Sequence, residues 1–170
     1  MVDLNAEFQK IKSNLSVAKQ PTFMTHKQIQ EIGCYKRNLP GIIGFAVKED
    51  YFATENKVPM YSVLIDTDAI EENCKKLNLD ADNVIKSTLC HELIHVLSVG
   101  FTTENEADPD SSMNKDEAYT EKYAEELFND TYENEVYYSS YSGLGRDSYN
   151  KQAELVDADQ NRKLYFNGSL

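Results

Sequence analysis

Residues 80–100 read Asp-Ala-Asp-Asn-Val-Ile-Lys-Ser-Thr-Leu-Cys-His-Glu-Leu-Ile-His-Val-Leu-Ser-Val-Gly, and this stretch decides the rest. Inside it, His91-Glu92-Leu93-Ile94-His95 spells H-E-x-x-H. On a helix, residues four apart share a face, so both imidazoles can reach one zinc ion while Glu92 stands beside the bound water. The flanks supply that helix. Asp80 is placed to cap its start, Asp82 puts an acid in the first turn, and Gly100 falls where a glycine would close the end. At about 100° per residue, Ile85, Leu89, Cys90, Leu93, Ile94, Val96 and Leu97 form one broad apolar arc. His91, His95, Val84, Ser87, Thr88 and Ser98 lie outside it, with Glu92 at their border. The pattern predicts a buried helix with a narrow polar stripe facing a cleft. Lys86 intrudes on the arc near the helix start, where it can snorkel.

The 170-residue chain is long enough for one domain with a real core. We expect a single domain over 1–170, with its core at about 41–134, N-terminal helices in 1–40 and a tail at 135–170. A net charge of −12 argues against nucleic acid, which is bound by an excess of Lys and Arg. No stretch approaches the roughly 20 apolar residues of a membrane span. The opening Met-Val-Asp-Leu-Asn-Ala-Glu-Phe lacks the basic start and apolar run of a signal peptide. The expectation is a cytoplasmic chain, with export by a route that needs no signal peptide left open. Cys34, Cys74 and Cys90 are an odd set without C-x-x-C spacing, which indicates neither a disulfide framework nor a structural zinc knuckle.

Outward from the central stretch, residues 3–19 place Leu4, Phe8, Ile11 and Leu15 at helical spacing. Thr25 caps a second helix over 26–37, with Ile29 and Ile32 inward. Runs 42–47 and 60–65 read as strands. Between them, 48–59 is a polar loop or a hairpin with a further short strand. Asp66 and Thr67 offer caps for a helix over 68–77. Residues 101–115 are acidic and turn-rich, a loop, and Asn114 or Asp116 opens the next helix, which runs through Phe128 toward Asn134. On it Glu117, Thr120, Glu121, Ala124, Leu127 and Phe128 share one face, while Tyr119 and Tyr123 project to the outer side. Two carboxylates thus sit in a stripe that should be buried, and a buried acid requires pairing, hydrogen bonds or a metal. The tail is tyrosine-rich through 137–146 and ends in a helical stretch over 147–166.

Two histidines and a carboxylate leave one position of a tetrahedral zinc open for water, the arrangement of a catalytic site. Glu117, 22 positions (117 − 95) after His95, is the best third ligand. With Asp116-Glu117-Ala118-Tyr119-Thr120-Glu121 behind the H-E-x-x-H, the sequence resembles the zincin metallopeptidases, and within them the gluzincins, the group that includes thermolysin. Their second segment is Glu-x-x-x-Asp, in which the glutamate binds zinc and the later acid supports a histidine ligand. Glu117 matches the first and Glu121 the second, with glutamate in place of aspartate. The metzincin pattern is not met, because Ser98 and Phe101 stand where glycine and histidine belong. His91 through Leu97 also looks like the matching stretch of clostridial neurotoxin light chains and of some injected bacterial effector proteases.

The resemblance covers about residues 60–130. It implies an α+β fold in which a small mixed or antiparallel sheet of about three strands packs on the central helix. The glutamate helix follows behind, with helices at both termini. It implies one catalytic Zn²⁺, Glu92 as general base and a protein or peptide substrate. It places strand residues Tyr61, Ser62 and Val63 at the cleft, where they pair with an extended substrate. Relatives stabilise the oxyanion with a tyrosine, histidine or arginine; Tyr137, Tyr138, Tyr141, Arg146 and His26 are the candidates. Two other functions fit the same residues: a catalytically silent or latent zincin domain acting as a metal-supported binding or regulatory module, and a toxin-like effector protease with one specific substrate. The sequence leaves the oligomeric state open.

Overall fold

The computed structural model describes residues 2–15, 21–32, 44–48, 50–98 and 109–139. In chain order the elements are α1 (Leu4–Ile11), a 3₁₀ turn (Lys12–Asn14), β1 (Thr22–Met24), α2 (His26–Glu31), β2 (Gly44–Ala46), α3 (Asp50–Asn56), β3 (Ser62–Ile65), α4 (Thr67–Leu77), α5 (Ala81–Leu97) and α6 (Pro109–Thr131). The class is α+β, helix-rich around a small mixed sheet, as the sequence implies. No helix among the described residues is long and apolar enough to cross a membrane.

The sheet has the order β1-β3-β2. β1 runs parallel to β3, with Phe23 opposite Val63, and β2 runs antiparallel to it, with Phe45 opposite Leu64. A strand covered on both faces is predominantly apolar: Ser62, Val63, Leu64 and Ile65 are all buried, and the one polar member, Ser62, donates its hydroxyl to the Pro59 carbonyl (2.6 Å). Successive side chains take opposite faces. Val63 and Ile65 enter the main core with α5 and α6, while Leu64 joins Met24, Ile29, Ile32, Val47, Ala53 and Val58 on the other side. β3 starts two residues later than its apolar run. Tyr61 and Ser62 both oppose Val47 in a bulge: Tyr61 N–H donates to the Val47 carbonyl (2.9 Å) and Val47 N–H to that of Ser62 (2.9 Å), with Tyr61 at φ 60°.

α5 is the hub, touching α1, α4, α6, β2 and β3. Asp80 caps it as the sequence requires, its carboxylate accepting from the N–H of Asp82 (3.0 Å) and of Asn83 (3.3 Å). Ile85, Leu89, Cys90, Leu93, Ile94 and Val96 are all buried to within 1% of full enclosure; full burial of one such Leu or Ile contributes about 1.5–3 kcal/mol. The helix ends at Leu97 with Ser98 in extended conformation as its cap, so Gly100 is not the closing residue, and it lies outside the described residues. The polar stripe is not an open cleft wall, for Ser87, Thr88, His91 and Glu92 are buried as well. Lys86 snorkels as its position suggests, pairing with Glu135 and lying 5.0 Å from the Tyr132 ring centre.

Other boundaries depart from the pattern for identifiable reasons. α1 gives way to the 3₁₀ turn at Lys12, short of the helix predicted to residue 19. α2 ends at Glu31, where Ile32 turns extended (ψ 123°); residues 33–37 lie outside the described residues. Asp50–Asn56 is a helix, not a loop or hairpin. Lys57 closes it at φ 55°, with Val58 N–H on the Ala53 carbonyl (3.0 Å) and Lys57 N–H on that of Thr54 (3.3 Å), a left-handed cap usually marked by glycine. β1 is a three-residue strand, too short to show alternation. α6 starts at Pro109 rather than at residues 114–116, consistent with the favourable place of proline in a first turn. Tyr119 and Tyr123, predicted to face outward, are buried at 1% and 4% exposure with their rings stacked 6.0 Å apart. α6 packs against α1 as well as α5, and a helix covered on two sides has little outer face. The C-terminal helix predicted over 147–166 lies outside the described residues.

α1 is pinned to the end of α6. Tyr132 donates from its hydroxyl to Glu7 Oε2 (2.9 Å), and Asn14 Nδ2 donates to the Asp130 carbonyl (3.1 Å) and to Thr131 Oγ1 (3.0 Å). Burial and the Glu7 hydrogen bond hold the Tyr132 phenol well above its ordinary pKa, so it remains a donor. Tyr132→Phe keeps the ring against Phe128 and removes the donor from a nearly buried carboxylate. The expected loss is about 1–3 kcal/mol, read as a lower urea midpoint; an unchanged midpoint would show that the pin contributes nothing.

Candidate metal centre

α5 carries His91, Glu92 and His95, and α6 lays Glu117, Thr120 and Glu121 across them. His91 Nε2 is 3.0 Å from His95 Nε2 and 3.4 Å from Glu117 Oε2, and His95 Nε2 is 3.3 Å from the same oxygen. The three donor atoms form a nearly equilateral triangle. Ligands at the zinc–nitrogen and zinc–oxygen bond lengths of a tetrahedral site stand about 3.3 Å apart, so the triangle has the edge of one coordination face. Among the described residues this is the one group of His, Cys, Asp or Glu donors close enough to hold a metal ion.

The triangle is buried on one side and open on the other. His91 retains 3% exposure, whereas the side chains of His95 and Glu117 keep 17% and 24%. The accessible side of the triangle is that of His95 and Glu117. Both imidazoles are held from behind by neighbouring residues of α6. Glu121 Oε2 accepts from His91 Nδ1 (2.9 Å), and Thr120 Oγ1 lies 3.3 Å from His95 Nδ1. A proton fixed on Nδ1 leaves the Nε2 lone pair for the metal. Glu121 thus stands beside His91, and its side chain closes the contact. The contact of Thr120 was not foreseen. Its one trace in the sequence is a third polar residue on the face that carries Glu117 and Glu121.

Glu92 is 7% exposed and lies against the edge strand β2. A Cβ at Gly44 would sit 2.5 Å from Glu92 Oε1, 2.7 Å from Thr88 Cγ2 and 2.9 Å from Glu92 Cγ. Gly44 therefore has no side chain because the carboxylate takes its place. In the sequence Gly44 is only a strand residue, since a glycine in a short β run carries no sign of what approaches it. Burial raises the Glu92 pKa, and the charges of His91 and His95 partly oppose the shift. For His91, burial favours the neutral ring, but its bonds to Glu117 and Glu121 and the charge of Glu92 outweigh burial and lift the pKa to about 10.

The remaining candidates are distributed differently. Ser62 and Val63 belong to the central strand, hydrogen-bonded to β1 on one edge and β2 on the other, and Tyr61 already donates to Val47. None of the three offers a free strand edge to a substrate. Among the described residues the edge strand beside Glu92 is β2. Tyr137 packs on Phe128 with ring centres 5.5 Å apart, and Tyr138 donates its backbone N–H to Ser87 Oγ (2.9 Å). His26 opens α2, but its side chain, like Tyr141, Arg146 and Cys34, lies outside the described residues. Cys90 is core, as the arc requires, and burial raises its thiol pKa far out of the reactive range.

The chain matches no protein-family model, no curated protein and no solved structure. Its chemistry therefore rests on the site's own geometry.

With its pKa raised to about 10, His91 holds a proton at neutral pH. Metal binding has to displace it. At pH 7 zinc uptake is expected to release about one proton, measured by calorimetry in buffers of different ionisation enthalpy, and affinity is expected to rise with pH. The folded pKa of about 10 lies above the ordinary 6.5, so the stabilisation from this proton is full below about pH 6.5 and is lost as pH rises through about 10. Zinc uptake without proton release would contradict a protonated His91.

Proposed function

We propose that this protein is a zinc-dependent peptidase. The observation that carries the proposal is the triangle of His91, His95 and Glu117 donor atoms, 3.0–3.4 Å apart, with the buried carboxylate of Glu92 one residue from the first ligand. Two imidazoles and one carboxylate suit a borderline-soft ion and leave an open position for reactants. A zinc ion held there supplies Lewis acidity, lowering the pKa of water toward about 7 and polarising the scissile carbonyl.

Glu92 takes the proton of the attacking water and delivers it to the leaving amine. Its raised pKa suits both steps, because a carboxylate that binds a proton more readily is a better base and remains an acid able to return it. Glu121 and Thr120 keep the two imidazoles oriented, and Glu117 supplies a negative charge that offsets the cation. An extended substrate pairs with the outer edge of β2. Val47 turns its N–H and carbonyl toward β3, so by strand alternation Ala46 and Gly44 direct theirs to the opposite edge. This places the substrate backbone next to Glu92 and replaces the Tyr61 to Val63 edge expected from the sequence. The wider resemblance to gluzincins supports the same reaction.

Glu92→Gln preserves shape and removes the base. It is expected to keep zinc near one ion per chain and to lower peptide hydrolysis by at least a hundredfold; hydrolysis at the wild-type rate would end the assignment. Gly44→Ala forces Glu92 or Thr88 to move. It is expected to retain the metal and to lose about tenfold or more in kcat/KM, and an unchanged value would show that the close approach of β2 is without catalytic consequence.

A further inference from the structure

Glu121 uses one carboxylate oxygen, Oε2, on His91 Nδ1. Its other oxygen, Oε1, is closed off from solvent and has no hydrogen-bond partner, and the hydroxyl of Tyr137 is in the same condition. A carboxylate oxygen and a phenol left together in a dry interior each cost free energy that their mutual hydrogen bond recovers. The Glu121 carboxylate is near enough for its charge to act on the Tyr137 phenol, and the course of the chain explains the approach. After α6 it turns at Asn134 (φ 64°) and crosses back to α5, where Tyr138 N–H docks on Ser87 Oγ at 2.9 Å. Ser87 lies one helical turn before His91 and on the same face. The preceding residue, Tyr137, is wedged edge-on to Phe128 of α6 at 5.5 Å and 67°, one turn beyond Ala124 and two beyond Glu121.

We propose that Tyr137 is a positioning residue for the metal centre: its hydroxyl donates to Glu121 Oε1, which holds Oε2 on His91 Nδ1 and so keeps His91 Nε2 aimed at the donor triangle. Burial first, and the charge of Glu121 second, hold the phenol far above its ordinary pKa, so the donor proton stays in place. The nitrogens of an imidazole lie on opposite edges of the ring. Tyr137 therefore acts from the side of His91 away from the reacting atoms and is not the oxyanion donor that the tail tyrosines suggest from sequence. This inference rests on His91, His95 and Glu117 being metal ligands.

Zinc affinity tests it. The dissociation constant is measured by competition with a chromophoric chelator for wild type, Tyr137→Phe, Glu121→Gln and the double variant, with far-UV circular dichroism confirming the fold. Phe retains the ring against Phe128. Tyr137→Phe is expected to weaken zinc binding about tenfold, within the range for partners of a metal-bound histidine. In the Glu121→Gln background the same change is expected to have little further effect, because the hydroxyl works through that carboxylate. A role in packing alone predicts the same loss in both backgrounds, and that result overturns the proposal. Equal zinc affinity of wild type and Tyr137→Phe overturns it too, leaving the metal centre intact. A wild type that takes up no zinc overturns the metal centre itself and this inference with it.

Discussion

The structure turns on one costly contact: two imidazoles and two carboxylates meet between α5 and α6 in a largely dry interface. Burying Glu121 is unfavourable unless its charge is met, and His91 Nδ1 meets it at 2.9 Å. Once that pair is made, the opposite nitrogen of His91 can point only toward the shared position with His95 and Glu117. The rest of the fold keeps the two helices at that separation. β3 and β2 support α5 from one side, and α1, pinned to the end of α6 by Glu7 and Tyr132, supports the pair from another.

The same arrangement explains how the chain tolerates its polar stripe. Ser87 and Thr88 donate their hydroxyls to carbonyls one turn back, at Asn83 and Val84 (both 2.8 Å), and satisfy themselves without interrupting the helix. The histidines cannot be satisfied this way. Their Nε2 atoms converge at 3.0 Å, a distance at which two lone pairs repel unless a proton or a metal ion lies between them. A proton or a metal ion could therefore satisfy the triangle, and the two would compete for the same nitrogens. One residue away, the buried carboxylate of Glu92 is pressed against a strand that has no side chain at Gly44.

Much of this was legible in the sequence where periodicity extends over several turns. The apolar arc of α5, its Asp80 cap, and the buried face of α6 through Thr120, Glu121, Ala124, Leu127 and Phe128 all follow from spacing. So does the grouping of His91, His95 and Glu117, since four-residue spacing on one helix and an acid on a buried face leave few alternatives. Short elements were not legible. β1 is three residues long, and α3 is closed by Lys57 in a conformation that usually announces itself as glycine. The placement of β3 at the centre of the sheet depends on β1, so missing that strand turned a central strand into an edge. Tyr119 and Tyr123 belong to the same core cluster as Phe8 and Ile11 of α1, a gathering of segments far apart in the chain that no local pattern encodes. Gly44 and Thr120 matter through what approaches them, which is likewise a tertiary fact.

The central claim is that His91, His95 and Glu117 together bind a single metal ion with an open position. X-ray absorption at the zinc edge of the zinc-loaded protein, compared with Glu117→Gln, tests it most directly. The account predicts four nitrogen or oxygen neighbours at about 2.0–2.1 Å, with multiple scattering from two imidazoles and a first shell disturbed by the substitution. A sulfur shell, fewer than two imidazoles, or an unchanged spectrum in Glu117→Gln would contradict it.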